Sequence, residues 1–539
     1  MRRFLAHQLY TAQALIVSLG LLTACQRPLV TTSPATTLRK SGMASAAVAL
    51  PNPVLPGDFP DPSVTKVGTT YWATATSSNW GPAFPLLKSS NLTSWELVGH
   101  VFPDGPPGWA DYYFWAPEIS QEKNKTYVYY TAHRRGGNLA VGVASATNPA
   151  GPYTDHGPLV GQPHGSIDGF PMRDEKGELY LIWKEDGNSV QEPTPIWAQR
   201  MNEERTALVG EKVELFRNDA STWEGNLVEG VSMVRHDGYF YAFYAANGCC
   251  GSGCTYATGV ARAENLLGPW EKYTRNPVLM NNDTWKCPGH GTVVEDKGRW
   301  YLLHHAYNND GRQFVGRQGV LSEFVWTESG WPTFKGGSTP VSANPLFPRL
   351  FTDDFKGAVL QPSWQWPIEQ RPAFSLQGGQ LHLTARPDHS GAALGQSVTS
   401  PNFIASTTLT NYAALPAGAH AGLAVHGDED NTLALLAGNG KIQLARTEKG
   451  QLKVLEETAL PATKTVLMML DAKEGSRFAF VWSADGGQNW HKMPADGTKV
   501  DGSYLPPWDR GIRAGLLVKG PNSAEAVFED FKLTSSLSK

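Results

Sequence analysis

Five segments of the chain open on a polar or ionisable residue, run through a few apolar positions to a turn, and continue into an aromatic-rich strand. The first is Asp61-Pro62-Ser63-Val64, with its turn at Gly68 and its strand from Tyr71. The second is Glu118-Ile119-Ser120, then Asn124 and Tyr127. The third is Asp168-Gly169-Phe170, then Gly177 and Tyr180. The fourth is Glu229-Gly230-Val231, then Gly238 and Tyr241. The fifth is His290-Gly291-Thr292, then Gly298 and Tyr301. Carboxylates that meet in one small space suit acid–base chemistry. One is held protonated to supply a proton to a leaving oxygen. Another stays ionised to take a proton from water, and a third raises the acid's pKa by opposing its ionisation. Each such group contributes roughly 10² to 10⁴ in rate.

The elements that must position these residues follow from the repeat. In all five copies the aromatic residue falls three positions after the turn residue, and Gly or Asn there suits a positive-φ turn. The lead residues are 50 to 61 positions apart. A period of that size, made of short strands, corresponds to one four-stranded blade. Later parts also recur: Asn148-Pro149-Ala150-Gly151-Pro152-Tyr153 matches Asn265-Leu266-Leu267-Gly268-Pro269-Trp270, and Ser90-Asn91-Leu92-Thr93-Ser94-Trp95 is a looser copy. The prediction is an all-β chain whose residues 51–337 form a five-bladed β-propeller. Each lead residue would start an innermost strand, so all five face one end of the central channel.

Residues 338–350 include three prolines and read as a linker. From 351 to 539 the pattern changes to short alternating strands, such as Leu381-His382-Leu383-Thr384 and Val466-Leu467-Met468-Met469-Leu470. This part is expected to be an antiparallel β-sandwich, a concanavalin-like jelly roll.

The other end of the chain is a targeting segment. Arg2 and Arg3 precede an apolar stretch too short to span a bilayer, which ends in Leu22-Thr23-Ala24-Cys25. Residues 1–25 are similar to a bacterial lipoprotein signal, in which Cys25 is acylated. Residues 26–50, rich in Thr, Ser, Ala and Pro, are the expected tether. The expectation is an exported lipoprotein, periplasmic or at the cell surface, held to the membrane by lipid on Cys25. An ordinary cleaved signal peptide is the alternative.

Composition narrows the partners. The formal charge is −4 over 539 residues and there is no basic stripe, which excludes a nucleic-acid binder. Fifty-five glycines, 38 prolines and 18 tryptophans suit a turn-rich β protein rather than a helical bundle. Cys249, Cys250, Cys254 and Cys287 allow three disulfide pairings. Export favours one or two disulfides over a four-thiolate zinc site.

Pro60-Asp61-Pro62-Ser63, Trp115-Ala116-Pro117-Glu118, Ile167-Asp168, Val228-Glu229-Gly230 and Gly289-His290-Gly291 together resemble the motifs of glycoside hydrolase family 43. The order and spacing carry the likeness, over about 51 to 335. The resemblance implies a five-bladed propeller enzyme that removes α-L-arabinofuranosyl units from plant polysaccharide with inversion. A β-D-xylosidase or a bifunctional enzyme is the alternative. It makes Asp61 the general base, Glu229 the general acid, and Asp168 the residue that orients Glu229 and keeps its pKa high. Arg317, in Gly316-Arg317-Gln318, matches an arginine that contacts the sugar. His290 matches a channel histidine where several members hold a metal ion such as calcium; no cofactor is required for the chemistry. Trp115 and Phe114 are the expected pocket aromatics. Gly169 departs from the pattern, because many members have proline there.

Several of these residues have plainer readings. Asp61 before proline would serve as a strand start, Asp168 as a partner of backbone amides, and Glu224 is a rival acid near Glu229. Glu118 shares the repeat position but is not assigned proton transfer. A retaining fructosidase-type propeller needs Asn-Asp-Pro and Arg-Asp-Pro motifs, where this chain has Phe59-Pro60-Asp61-Pro62 and Arg173-Asp174-Glu175. A glycan-binding propeller without catalysis is the reading from another class, and the three carboxylates weigh against it.

Overall fold

Alternating burial along Val466–Lys473, with Val466, Met468, Leu470 and Ala472 inward, is typical of the strands that are this molecule's main regular element. The structure, a computed structural model, describes residues 50–341 and 349–535. The leader with Cys25, the tether up to residue 49 and most of the linker lie outside the described residues.

Five four-stranded antiparallel sheets follow one another, each with its strands in chain order. Their first strands are Ser63–Val67, Trp115–Glu122, Ser166–Arg173, Val228–His236 and Trp285–Asp296. These five strands touch in sequence, and the fifth touches the first, so they close a ring. In every sheet but the third, where Arg173 pairs with Leu179, the hairpin that follows turns in two residues, as with His236 opposite Tyr239 and Asp296 opposite Arg299. Asp237-Gly238 and Lys297-Gly298 take positive φ at both central positions, the primed turn that matches strand twist. The recurrent Asn-to-aromatic segments also fold alike. Asn148 and Asn265 each accept from the backbone of the glycine three residues on, and Tyr153 and Trp270 each donate to a carbonyl four residues back.

The described chain begins by closing this ring. Leu55 and Gly319 exchange backbone hydrogen bonds, and the Asn52 side chain both donates to and accepts from the backbone of Leu321. Residues just ahead of the first sheet are thereby stitched to the fifth, which leaves no free seam between them.

The C-terminal part is a sandwich of a nine-stranded and a six-stranded antiparallel sheet. Leu383, Phe403, Leu470 and Phe528 from one sheet share a core with Leu394, Leu423, Leu435 and Leu516 from the other. Its opening and closing segments pair directly, Leu350–Asp353 against Glu525–Ser535, with Asp353 opposite Phe531. Trp366–Pro367 pairs with Trp80–Gly81 of the propeller, and Ile368 packs into the core between the first two propeller sheets. Asp58 accepts from Gly511 N at 2.9 Å and from Arg513 Nη1 at 3.1 Å. The two parts are thus joined next to one end of the ring.

Candidate active site

A kink recurs near the start of the innermost strand in the first four sheets and within it, at His290, in the fifth. Asp61, Ala116, Asp168, Gly230 and His290 all have positive φ, between 42° and 63°. In the second to fifth sheets it coincides with a bulge in the pairing with the next strand. A bulge re-aims side chains, and four non-glycine residues in the left-handed region mark backbone held by its surroundings. Hydroxyls supply part of that hold: Thr76 Oγ1 accepts from Ala116 N at 2.6 Å, and Thr131 Oγ1 from Asp168 N at 3.0 Å.

The kinks correct the sequence register. In the second sheet the kink falls on Ala116, not Glu118, and in the fourth on Gly230, not Glu229. Matching by charge misplaced both, because the shared feature is a backbone conformation. Glu118 sits two residues deeper, where it accepts from Thr292 Oγ1 at 2.8 Å and burial pushes its pKa up to about 8.

Asp61 is buried among donors. Arg317 Nη1 donates to its Oδ1 at 2.8 Å and Thr76 Oγ1 to its Oδ2 at 2.7 Å. His305 Nδ1 accepts from the Asp61 backbone N–H at 3.1 Å and lies 3.0 Å from Oδ1. Burial pushes the carboxyl up, but Arg317 and then His290 hold it well below the usual carboxylate range. It is therefore ionised, as a residue that takes a proton from water must be.

Glu229 is gripped at both oxygens: Tyr256 Oη donates to Oε1 at 2.8 Å and Lys184 Nζ to Oε2 at 2.6 Å. Burial pushes Glu229 up, but Lys184, aided by Tyr256, outweighs it and holds the carboxyl below the usual glutamate range. Asp168 Oδ2 accepts from Gly230 N at 2.9 Å, which fixes the backbone beside Glu229. Burial, opposed by His290 and joined by the charge of Glu229, pushes Asp168 up to about 6. Each carboxyl thus has its own partners: Lys184 and Tyr256 hold Glu229, and the Gly230 amide holds Asp168. Lys184 is a partner of Glu229 that the sequence did not point to.

His290 links the two sides, with Nδ1 3.6 Å from Asp61 Oδ1 and 4.0 Å from Asp168 Oδ2. A second link runs through the Tyr256 ring, which stacks on His305 at 5.6 Å and 3°. His305 meets the base and Tyr256 meets the acid. A calcium ion takes six to eight ligands, mostly oxygens, so at His290 water would have to supply most of them. His290 offers one nitrogen beside carboxylates already engaged by Arg317 and the Gly230 amide. Among the described residues no group of three His, Cys, Asp or Glu side chains is arranged to hold a metal.

The sandwich completes the rim. Asp509 accepts from Arg317 Nη2 through its backbone oxygen at 3.1 Å and from Trp115 Nε1 through its carboxylate at 3.2 Å. It also meets Ser78 Oγ and pairs with Arg510. Trp508, 54% exposed, stands edge-on to Trp115. Sequence reasoning missed Asp509, Lys184, Tyr256 and His305. Only the loop Pro506-Pro507-Trp508, an aromatic residue between proline and charge, carried any signal.

Two sequence assignments change. Phe114 is fully buried, with its ring 5.8 Å from Phe84 in the core between the first two sheets. It has no face to offer a sugar, whereas Trp115 reaches the rim. Glu224 is also buried. It pairs with Lys272 Nζ at 2.6 Å and accepts from Tyr244 Oη at 2.7 Å, which leaves it a structural charge of the fourth sheet. At Gly169 a Cβ would lie 2.4 Å from Val141 Cγ1, so the close approach of the neighbouring strand favours glycine. The cysteines form Cys249–Cys250 and Cys254–Cys287 disulfides, so none is a zinc ligand.

The fold and site define a class, an O-glycosyl hydrolase built on a β-propeller with a concanavalin-like domain behind it. Residues 50–332 match the family model described as glycosyl hydrolases family 43, and residues 352–534 match the beta xylosidase C-terminal concanavalin A-like domain. The chain belongs to glycosyl hydrolase family 43. The non-reducing end alpha-L-arabinofuranosidase BoGH43B of Bacteroides ovatus is 27% identical over 473 residues, 78% of this chain and 83% of that protein. A xylosidase/arabinosidase of Butyrivibrio fibrisolvens is 28% identical over 53% of this chain and 56% of its own. Among solved structures, the xylan beta-1,4-xylosidase from Bacillus halodurans superposes with a TM-score of 0.76 at 21% identity. That match covers 90% of this chain and 100% of the other, and shows a shared fold.

Proposed function

We propose that this enzyme removes single α-L-arabinofuranosyl units from the non-reducing ends of plant polysaccharides or oligosaccharides by one displacement, with inversion. The observation that carries the reading is the convergence of Asp61, Asp168 and Glu229 at one end of the ring, with Asp61 and Glu229 each bonded to its own buried cation. In the reaction Asp61 takes a proton from water as that water attacks the anomeric carbon. Glu229, in its protonated form, gives its proton to the departing oxygen as the C–O bond breaks. Arg317, shared between Asp61 and the Asp509 carbonyl, is the candidate sugar contact. The sandwich loop at the rim favours a closed pocket and therefore end-on attack.

The Bacteroides relative, matched over most of both chains, favours arabinofuranose. The Butyrivibrio relative named for both sugars keeps β-D-xylosyl transfer to water as the second reading. Hydrolysis of 4-nitrophenyl α-L-arabinofuranoside and β-D-xyloside, with proton NMR of the first-formed anomer, tests sugar and stereochemistry together. Release of the same anomer as the substrate would refute inversion. Release of neither sugar would favour a glycan-binding protein. The leader ending at Cys25 supports lipid anchoring in the same reading, and loss of radiolabelled palmitate incorporation in Cys25→Ser tests it.

A further inference from the structure

Lys184 is almost wholly buried, with 1% of its side chain exposed. It sits near the end of the strand Leu179–Glu185, opposite Ile167 in register and so beside the Asp168 kink. From there it reaches across the boundary between the third and fourth sheets to Glu229 Oε2 at 2.6 Å, closer than its second partner, Asp186 Oδ1, at 2.9 Å. A buried ammonium is costly unless paired. Asp186, two residues along its own chain, would suffice as a purely structural partner. The contact to Glu229 goes further and mirrors Arg317 on Asp61.

We propose that Lys184 is a positioning residue for the general acid, fixing the Glu229 carboxyl and stabilising the carboxylate left behind when its proton passes to the leaving sugar oxygen. This rests on the proposed role of Glu229. The other groups around Glu229 are Tyr256, Asp168, His290 and Asp61, and none of them brings a permanent positive charge. During bond cleavage negative charge returns to Glu229 in a site shielded from water, where a fixed cation acts most strongly. Its benefit depends on how much the leaving group needs the proton. A sugar alkoxide is a poor leaving group and needs full protonation, whereas a dinitrophenolate leaves unaided.

The test compares kcat/KM for an unactivated pentosyl oligosaccharide and for the matching 2,4-dinitrophenyl pentoside in wild type and Lys184→Met, with thermal unfolding to check the fold. The variant should lose roughly 10²-fold on the oligosaccharide and less than about 10-fold on the dinitrophenyl glycoside, the same split expected of Glu229→Gln. Should the Met variant not fold, Lys184→Gln is read in the same way, since it keeps a donor and loses the charge. Equal losses on the two substrates, or no loss on the oligosaccharide, would overturn the proposal while leaving the glycosidase reading intact. A wild-type enzyme inactive on both would overturn that reading and this one with it.

Discussion

Arg317 donates from Nη1 to Asp61 Oδ1 at 2.8 Å, joining the fifth sheet to the residue that begins the first. Closing the ring and ionising the base are therefore one event. The backbone that pairs with Leu55 at Gly319 delivers the guanidinium two residues earlier. Arg317→Ala leaves burial unopposed by the nearest cation, so the Asp61 pKa rises. Because the base works only when ionised, the acid limb of kcat/KM against pH should move to higher pH. Activity near neutrality should fall by at least roughly 10²-fold. An unmoved limb would mean that Arg317 acts on the sugar alone.

Asp61→Asn and Glu229→Gln should each lower turnover of an oligosaccharide by roughly 10² to 10⁴, with unchanged circular dichroism. Glu224→Gln should behave differently. It leaves Lys272 short of a carboxylate and weakens the fourth sheet, so its melting temperature should fall while the folded fraction keeps its rate. Near-native turnover by Glu229→Gln on an unactivated substrate would require another acid.

Asp509→Ala tests whether the sandwich belongs to the site. The side chain is buried and accepts from Trp115, Ser78 and Arg510. Its loss leaves buried donors unsatisfied, at a cost of about 1 to 3 kcal/mol, and frees the Trp115 ring. We expect KM for pentosides to rise more than melting temperature falls. An unchanged KM would reduce the loop to a domain contact.

The two disulfides should differ in weight. Cys254–Cys287 closes 33 residues and ties the loop before Tyr256 to the strand bearing His290, whereas Cys249–Cys250 closes nothing beyond one peptide unit. On chain entropy, replacing the longer bridge with serines should cost about 3 to 4 kcal/mol in a denaturant titration. Replacing the vicinal pair should cost far less.

Glu118→Gln probes the channel below the catalytic groups. Burial raises the wild-type carboxyl to about 8. The folded state therefore favours the protonated form, and wild-type stability should decline as pH rises from the ordinary glutamate range through about 8. The glutamine variant, which keeps an acceptor for Thr292, should lack that decline and retain activity. Parallel stability curves for the two proteins would refute this account.

The repeat, its turns and the acidic motifs were legible in the linear chain because they are local. A two-residue primed turn needs Asp-Gly or Lys-Gly at fixed positions, and alternation needs only near neighbours. The same local rules indicated a sandwich after the propeller. Other features were settled by contacts between sheets. A single step of alternation turned Trp115 to the rim and Phe114 into the core. The bulges put the kinks on Ala116 and Gly230, where no charge advertised them. Lys184, Tyr256, His305 and Asp509 look ordinary along the chain, since each gains its role from a partner on another strand, sheet or domain. Proton affinity at Glu229 was likewise out of reach of the sequence, because it depends on which cation lies within 3 Å once the ring has closed.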